Sequence, residues 1–156
     1  FGIPRRMFTG IDFNRALIII AVLEKRLGLN LSNQDIFVNV TGGTKIKEPA
    51  TDLGIACAIA SAFGNFVCDS DGVCLGEVGL GGEIRNVGHI AERLKESERL
   101  GMEWALIPRG GLREKFSSNV MEVAPMESVS QAIQWMRSRS TTLAPKTASP
   151  VAGESF

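Results

Sequence analysis

The residues that could carry acid–base or nucleophilic chemistry gather at one predicted helix start. Glu48, Thr51 and Asp52 flank Pro49, and a proline suits a first helical turn. The two carboxylates could serve in catalysis, and the hydroxyl could act as a nucleophile. Carboxylates in a first turn are, however, also stabilised by the unpaired amides and the macrodipole of the helix. We therefore expect Glu48 and Asp52 to have that structural role and Thr51 to belong to the same polar helix end.

The histidine and the cysteines are weaker candidates. His89 is the only histidine and has no evident serine or cysteine partner in sequence, so we expect it at the surface or at a helix start. The chain has an odd number of cysteines, Cys57, Cys68 and Cys74, and none of them has CxxC spacing. Both features argue against a disulfide framework and against a zinc site. Such cysteines are most often small buried hydrophobic residues of a reducing compartment. We predict no metal site and no catalytic cysteine.

A glycine pair precedes the predicted helix start but does not form a phosphate-binding loop. The segment beginning at Gly42-Gly43 reads GGTKIKEP and lacks the terminal Gly-Lys-Ser/Thr of that motif. A structural turn is the favoured interpretation. We expect this chain neither to bind nor to hydrolyse ATP, and we predict no cofactor within it.

Charge limits nucleic-acid binding to local patches. Seventeen basic and seventeen acidic residues cancel in a chain of 156 residues, so no global basic footprint exists. Aromatic residues do not alternate with the basic ones, so no platform for stacking single-stranded bases is predicted. The candidates for phosphate contact are basic residues in or beside predicted loops: Arg5, Arg6, Lys45, Lys47, Arg85, Arg109, Arg113 and Lys115.

Alternation, periodicity and capping residues predict the elements that position these candidates. Gly81-Gly82 lies between two runs able to extend and predicts a hairpin with a two-residue link. Asp12 and Ser128 are suited to cap helices, and Gly28, Gly64 and Gly101 are suited to end them. The predicted strands are 5–9, 35–41, the two hairpin strands, 104–107 and 120–123. The predicted helices are 12–26, the largely enclosed first one, then 49–63, 90–100 and 128–137.

This order of strands and helices predicts a two-layer α/β (α+β) domain. It has a mixed β-sheet with the helices packed on one face. We assign residues 1–137 to the domain and expect disorder over 138–156, where Ser, Thr, Ala and Pro predominate. The longest apolar run, 16–23, is too short to cross a bilayer and no signal sequence opens the chain, so we expect a soluble protein. A chain that begins with Phe1 suggests a fragment or a processed product.

Three long segments carry a family resemblance. They read IPRRMFTGIDFNRALIIIAVLEKRLG, DIFVNVTGGTKIKEPATDLGIACAIAS, and GEVGLGGEIRNV followed by ESERLGMEWALIP. Together they closely resemble the C-terminal, Lon-protease-like domain of the RadA (Sms) DNA repair proteins, over roughly residues 3–136. The resemblance implies the Lon proteolytic-domain fold.

The same resemblance implies that the protease site is dead. A Lon-type protease has a serine nucleophile at the start of the second helix and a lysine on the helix after the hairpin. Those positions correspond to Ala50 and Ala91 in this sequence. Because a methyl group can neither attack a carbonyl nor carry a proton, we expect no peptidase activity. Thr51, the nearest hydroxyl, lies about 100° around the helix from the serine position.

The family also implies a larger protein and its partners. Its complete members carry a zinc finger and a RecA-like ATPase, so ATP, Mg²⁺ and Zn²⁺ are expected only upstream of this chain. They act in ATP-driven branch migration of recombination intermediates, form hexamers through this domain and bind single-stranded or branched DNA without reading its sequence. The location is open: cytoplasm in a bacterium, or an organelle interior in a eukaryote. Two alternatives are an active Lon-type serine peptidase, which Ala50 and Ala91 oppose, and a stand-alone protein-interaction module.

Overall fold

The structure, a computed structural model, describes residues 2–112 and 116–142. Its helices are α1 (Phe13–Leu27), α2 (Asp52–Gly64), α3 (Ile90–Arg99) and α4 (Val129–Ser138), and a 3-10 turn (Pro49–Thr51) precedes α2. Its strands are β1 (Arg6–Thr9), β2 (Ile36–Asn39), β3 (Phe66–Val67), β4 (Gly72–Cys74), β5 (Glu77–Val78), β6 (Ile84–Arg85), β7 (Trp104–Pro108), β8 (Glu122–Met126) and β9 (Thr141–Thr142).

Helix α1 begins and ends where its capping residues predict. The Asp12 side chain accepts a hydrogen bond from the Arg15 amide at 3.0 Å, and Gly28 ends the helix at φ 68°. The predicted enclosure of α1 is wrong, however. Phe13 and Leu17 keep 52% and 38% of their surface, because the neighbouring elements cover only the opposite face of the helix.

The C-terminal end of α2 differs from the prediction by one residue. Gly64 still lies within the helix, and Asn65 adopts the left-handed conformation at φ 50°, with its amide donating to the Ser61 carbonyl. Asparagine is the commonest alternative to glycine in this role. Gly64 instead gives room for a neighbour, since a Cβ there would lie 2.9 Å from the Arg137 guanidinium.

The strands form small separate ladders rather than the single mixed sheet that the sequence predicted. Within the described ranges, β1 pairs with β2 in parallel, β4, β7 and β8 form a parallel sheet in that order, β5 pairs with β6, and β3 pairs with β9. The longest of these strands has five residues. The structure is therefore α+β with a divided sheet.

The prediction that the helices share one face is also wrong. Trp104 and Leu106 of β7 belong to the core that α1, α2 and α4 form, whereas Ala105 and Ile107 face a second core with α3. All five residues of β7 are buried. A parallel strand that is apolar on both sides needs cover on both faces, and α3 supplies the second cover.

The predicted hairpin exists, but its loop is longer than Gly81-Gly82. Val78 pairs with Ile84, so the connection is 79–83, and only Gly82 of the predicted pair has a positive φ, 85°. The chain approaching α4 binds the hairpin. The Ile84 amide donates to the Glu127 carbonyl and the Val129 amide to the Gly82 carbonyl, each at 2.9 Å. These bonds fix the loop in a form that its two glycines alone do not specify.

Order extends past the predicted start of the C-terminal tail. Ser138 is the last residue of α4, and Thr141–Thr142 pair with Val67 and Phe66. Secondary structure thus continues beyond residue 137, the predicted boundary. Residues 143–156, the rest of the predicted tail, lie outside the described residues.

Candidate functional site

The position that the resemblance assigns to a nucleophile is closed on all sides. Ala50 is 1% exposed and lies in the 3-10 turn before α2. Its carbonyl accepts from the Gly76 amide at 3.0 Å, and the Gly76 carbonyl accepts from the Leu53 amide at 3.1 Å. The backbone at Ala50 is therefore bonded to the segment that leads into β5, and its buried methyl group supplies no functional group at this point.

The neighbouring hydroxyl already has a local partner. The Thr51 hydroxyl donates to the Glu48 carbonyl at 3.0 Å, which closes the 3-10 turn. Thr51 is half-buried, and no carboxylate among the described residues accepts from it. The contact agrees with the expectation that Thr51 is part of a polar helix end.

Asp52 is where the structure differs most from the expected site. Its carboxylate is 1% exposed. The guanidinium of Arg15 donates two hydrogen bonds to it, from Nε to Oδ1 at 2.9 Å and from Nη2 to Oδ2. The Val78 amide also donates to Oδ2 at 3.0 Å. Asp52 was expected to serve only its own helix end. Its partners instead lie on α1 and β5, so one carboxylate joins three elements.

Arg15 completes this arrangement and was not singled out from the sequence. Its Nη2 also lies 3.4 Å from the Glu77 carboxylate. The hydrogen bond to Asp52, followed by the charges of Asp52 and Glu77, raises the pKa of Arg15 above its ordinary value, although burial lowers it. Thirty-seven positions separate Arg15 from Asp52, so no local sequence pattern could have paired them. The sequence offered only two hints of this pair: an aspartate, Asp52, at the start of an apolar helix, and an arginine, Arg15, within another apolar helix. A charge buried in such surroundings needs a partner of opposite sign.

An ion pair connects the segment that contains Ala91, the second dyad position, to the segment that contains Ala50, the first. Ala91 occupies the first turn of α3, and Arg93, in the same turn, pairs with the Glu48 carboxylate at 2.9 Å. Arg93 Nε also donates to the Gly88 carbonyl at 2.9 Å. Glu48 lies at the N-cap of the 3-10 turn and makes no side-chain capping hydrogen bond there; its carboxylate instead pairs with Arg93. The Glu48–Arg93 ion pair joins the segments that contain Ala50 and Ala91. The side chain at each of those two alanine positions is a methyl group.

His89 lies at the start of α3, as one of the two expectations stated. It adopts the left-handed conformation at φ 61° and is 79% exposed on its side chain. Its Nδ1 is 3.9 Å from the Glu92 carboxylate, the nearest charged group recorded for it. No serine or cysteine hydroxyl or thiol among the described residues bonds to it.

Four of the eight basic candidates have intramolecular partners. Arg5 pairs with Asp35 at 2.7 Å and lies over the Phe37 ring, and Arg109 pairs with Glu127 at 3.0 Å. Arg85 bonds Glu83 at 2.7 Å, and Arg6 donates to backbone carbonyls of the loop that precedes β2. These side chains fasten strands and loops.

Lys45 and Lys47 differ from those four residues. Both are exposed on the loop between β2 and the 3-10 turn, and neither takes part in an ion pair with a described residue. They line a cavity of about 330 Å³ beside Arg15, where the acidic side chains of Asp12 and Glu48 also lie. Gly42 and Gly43, both with positive φ, form the turn that precedes them. Arg113 and Lys115 lie outside the described residues.

Two searches of the described ranges concern other classes of site. Residues 2–112 and 116–142 contain no group of three His, Cys, Asp or Glu side chains placed to hold a metal ion. None of their helices has both the length and the apolar character needed to cross a membrane.

Comparison with known proteins gives two kinds of match. A family model described as "Subunit ChlI of Mg-chelatase" matches residues 10–111. A protein named DNA repair protein RadA from Halalkalibacterium halodurans is 46% identical over 134 residues, which are 86% of this chain and 29% of that protein. The Bacillus subtilis protein of the same name is 45% identical over the same shares. The Synechocystis one is 47% identical over 110 residues, 70% of this chain and 22% of that protein. The chain thus spans less than a third of the length of these relatives.

Proposed function

This chain belongs to the family described as subunit ChlI of Mg-chelatase and to the RadA group of DNA repair proteins, and we propose that it is the C-terminal scaffold and DNA-binding domain of such a repair protein. The observation that carries the proposal is identity of 40–47% to relatives of that name. Matches at this level that extend over 86% of the chain involve its core, its loops and its site together.

The fold that we propose is that of a Lon-type proteolytic domain. Its support is the juxtaposition of two helix starts, that of α2 and that of α3, which the Glu48–Arg93 pair joins. A Lon-type site needs a hydroxyl on the first and an amine on the second. Here both positions are alanine, so an active serine peptidase is the less favoured function. The bonded Thr51 hydroxyl supports the same conclusion.

The activity that we propose for the longer protein is ATP-driven branch migration of recombination intermediates. Its zinc finger and RecA-like ATPase, with ATP, Mg²⁺ and Zn²⁺, would lie outside the 156 residues of this chain. Within a hexamer of that protein, this domain would contribute assembly contacts and hold DNA. Sequencing the reading frame upstream of Phe1 is the direct test of this part: a zinc finger and a phosphate-binding loop are expected there.

DNA contact by this domain is best supported at Lys45 and Lys47. Exposed cations that pair with no carboxylate among the described residues can bind phosphate without first breaking such a pair, whereas Arg5, Arg85 and Arg109 must give one up. The two lysines lie on one short loop, so both could follow a single backbone. Contacts of this kind position the nucleic acid and do not read its bases.

Fluorescence anisotropy with a single-stranded oligonucleotide across a salt series tests the DNA proposal. Lys45→Ala/Lys47→Ala should weaken binding equally for unrelated sequences. It should also reduce the slope of log K against log salt by about 1.4, since each phosphate contact on single strands contributes about 0.7. The matched control is Lys25→Ala/Lys95→Ala, which removes the same charge from α1 and α3.

Three outcomes would count against part of the proposal. Equal losses in both double variants would mean that overall charge, not the loop, governs binding. An unchanged slope in Lys45→Ala/Lys47→Ala would remove the loop from the interface. Wild-type protein that fails to bind at low salt would contradict DNA contact by this chain and favour a domain for assembly or protein interaction.

A further inference from the structure

A second cavity lies beside Lys45, where β1 and β2 end, and its volume is about 400 Å³. Its lining joins one aromatic ring, Phe8, two hydroxyl groups, Thr9 and Thr44, and one charged side chain, Lys45, to glycines and aliphatic residues. Among the described residues, no carboxylate lines it. The 330 Å³ cavity described above, by contrast, is also lined by carboxylates of α2, the 3-10 turn and the start of α1. The second cavity therefore suits a ligand that is anionic at one end and uncharged at the other.

Backbone contacts fix the position of Lys45 against the end of β1. The Ile46 amide donates to the Gly10 carbonyl at 2.8 Å, and Ile46 pairs with Ile11 in a parallel bridge. Gly10 has a φ of 79°, and a Cβ there would lie 2.9 Å from the Val40 Cβ. The end of β1 can approach the end of β2 this closely because Gly10 has no side chain. Lys45 directly precedes Ile46, so this pairing sets its place beside the cavity.

The aromatic ring in the cavity wall is held from behind. Phe8 lies in β1 opposite Val38, is half-buried and packs against the main core. Its ring packs against that of Phe13, with the two centroids 5.3 Å apart and 53° between the planes. The sequence predicted no stacking platform, because aromatic and basic residues do not alternate along the chain. The fold nevertheless brings Phe8 to the same cavity as Lys45.

We propose that this cavity binds an unpaired base of single-stranded DNA, stacked on Phe8, while Lys45 pairs with an adjacent phosphate. The inference rests on the DNA contact proposed above and adds a base-binding part to that site. An unpaired base is flat and uncharged and is attached to an anionic phosphate, which is the combination that the cavity matches. Thr9 and Thr44 are exposed and add hydroxyls that can bond to the edge of a base. Stacking of this kind tolerates any sequence, since every base has a π-face.

The same geometry favours single strands over duplexes. In a duplex each base is paired along one edge and stacked on its neighbours, so it can enter a cavity only after unpairing and unstacking, which costs free energy. A base of a single strand needs no such step. We therefore expect Phe8 to contribute to the binding of single strands and not to that of duplexes.

Fluorescence anisotropy with three labelled probes of equal length tests the inference. The probes are a thymidine oligonucleotide, an abasic strand with the same sugar–phosphate backbone, and a duplex. One stacked base changes affinity by roughly 5- to 150-fold, so the wild type should bind the thymidine strand at least about 5-fold more tightly than the abasic strand. Phe8→Leu keeps an apolar side chain but removes the aromatic face. It should reduce this preference and leave binding of the abasic strand and the duplex unchanged.

The matched control is Phe63→Leu, which removes an aromatic ring from α2, at a side chain that is 38% exposed and does not line the cavity. Salt dependence separates stacking from phosphate contact. Phe8→Leu should weaken binding of the thymidine strand by a similar factor at every salt concentration, because stacking releases no counterions. Lys45→Ala/Lys47→Ala should instead change the slope.

Photo-cross-linking locates the base without any substitution in the protein. A strand carrying 5-bromodeoxyuridine, irradiated with the wild type, should cross-link at Phe8, which tandem mass spectrometry of the peptides identifies. Circular dichroism verifies that Phe8→Leu and Phe63→Leu are folded.

The outcomes distinguish failure of the base site from failure of the proposed function. Equal wild-type affinity for the thymidine and abasic strands would overturn the base site and leave the phosphate contacts standing. An unchanged preference in Phe8→Leu, equal losses in Phe8→Leu and Phe63→Leu, or cross-links confined to residues outside the cavity would overturn it as well. A wild type that binds none of the three probes at low salt would contradict the proposed DNA contact itself, and the base site with it.

Discussion

At the scale of single residues, the Arg15–Asp52 pair carries the largest concentration of buried charge among the described residues. Asp52 accepts from two nitrogens of Arg15 and from the Val78 amide, so its two oxygens are satisfied without water. A buried carboxylate is tolerated only with such compensation. The pair therefore matters chiefly for what happens when one partner is removed.

We predict that Arg15→Ala destabilises the protein by about 3–5 kcal/mol, because it leaves the Asp52 charge buried and unpaired. The matched control is Arg5→Ala, which removes an arginine that also forks onto an aspartate, Asp35, at the surface, where the side chains are 72% and 39% exposed. An exposed pair contributes much less than a buried one, because water and salt screen it. Urea unfolding followed by circular dichroism compares the two, and equal losses would contradict the structural role assigned to Asp52.

At the scale of elements, one glycine decides how β4 meets β7. Gly72 opens β4 opposite Trp104 of β7. A Cβ at Gly72 would overlap the Trp104 ring, with atoms as close as 1.9 Å. The ring itself packs against Trp135 at a centroid distance of 5.3 Å, so it has little room to yield. Strand β4 can pair with β7 at this point because Gly72 has no side chain.

We predict that Gly72→Ala destabilises the protein by about 1–3 kcal/mol through overpacking. Gly88→Ala is the matched control, since a Cβ there meets nothing within 4 Å and its φ is ordinary. Near-UV circular dichroism should report the change around Trp104, and urea unfolding should report the energy. Unchanged stability in Gly72→Ala would show that the indole ring can move aside.

The elements also show which features a sequence discloses. Caps at Asp12, Gly28 and Ser128 depend on neighbouring residues, and the structure confirms each of them. The hairpin loop and the cover on the second face of β7 depend on Glu127 and α3, which are distant in sequence. The alanines at 50 and 91 were assigned through the family resemblance. The Arg15–Asp52 and Glu48–Arg93 pairs were not predicted by either route. Long-range pairing is absent from local propensity.

At the scale of the whole molecule, the outer edge of β2 is one of the strand edges that the described ladders leave unpaired. The Ile36 amide donates to the Arg5 carbonyl, just before β1, and the Val40 amide donates to the Thr9 carbonyl. The intervening backbone groups of Phe37 and Asn39 therefore point away from β1. Strand β2 has no other partner in the described part of the chain, and its outer edge borders a trough of about 580 Å³ against α2. Its sequence, IFVN, lacks the lysine, proline or bulge that usually protects an edge.

An unprotected edge beside an apolar trough is stable in a protein that covers it on assembly, and we therefore predict that β2 contributes to self-association. The longer protein carrying this chain should sediment as a hexamer with nucleotide and DNA present. Phe37→Asp should shift it toward smaller species, because a charge would have to be buried at the contact. Leu100→Asp, at a side chain of similar exposure, 60% against 55%, is the matched control. A strict monomer at micromolar concentration would contradict assembly, and equal behaviour of the two variants would place the contact elsewhere on the surface.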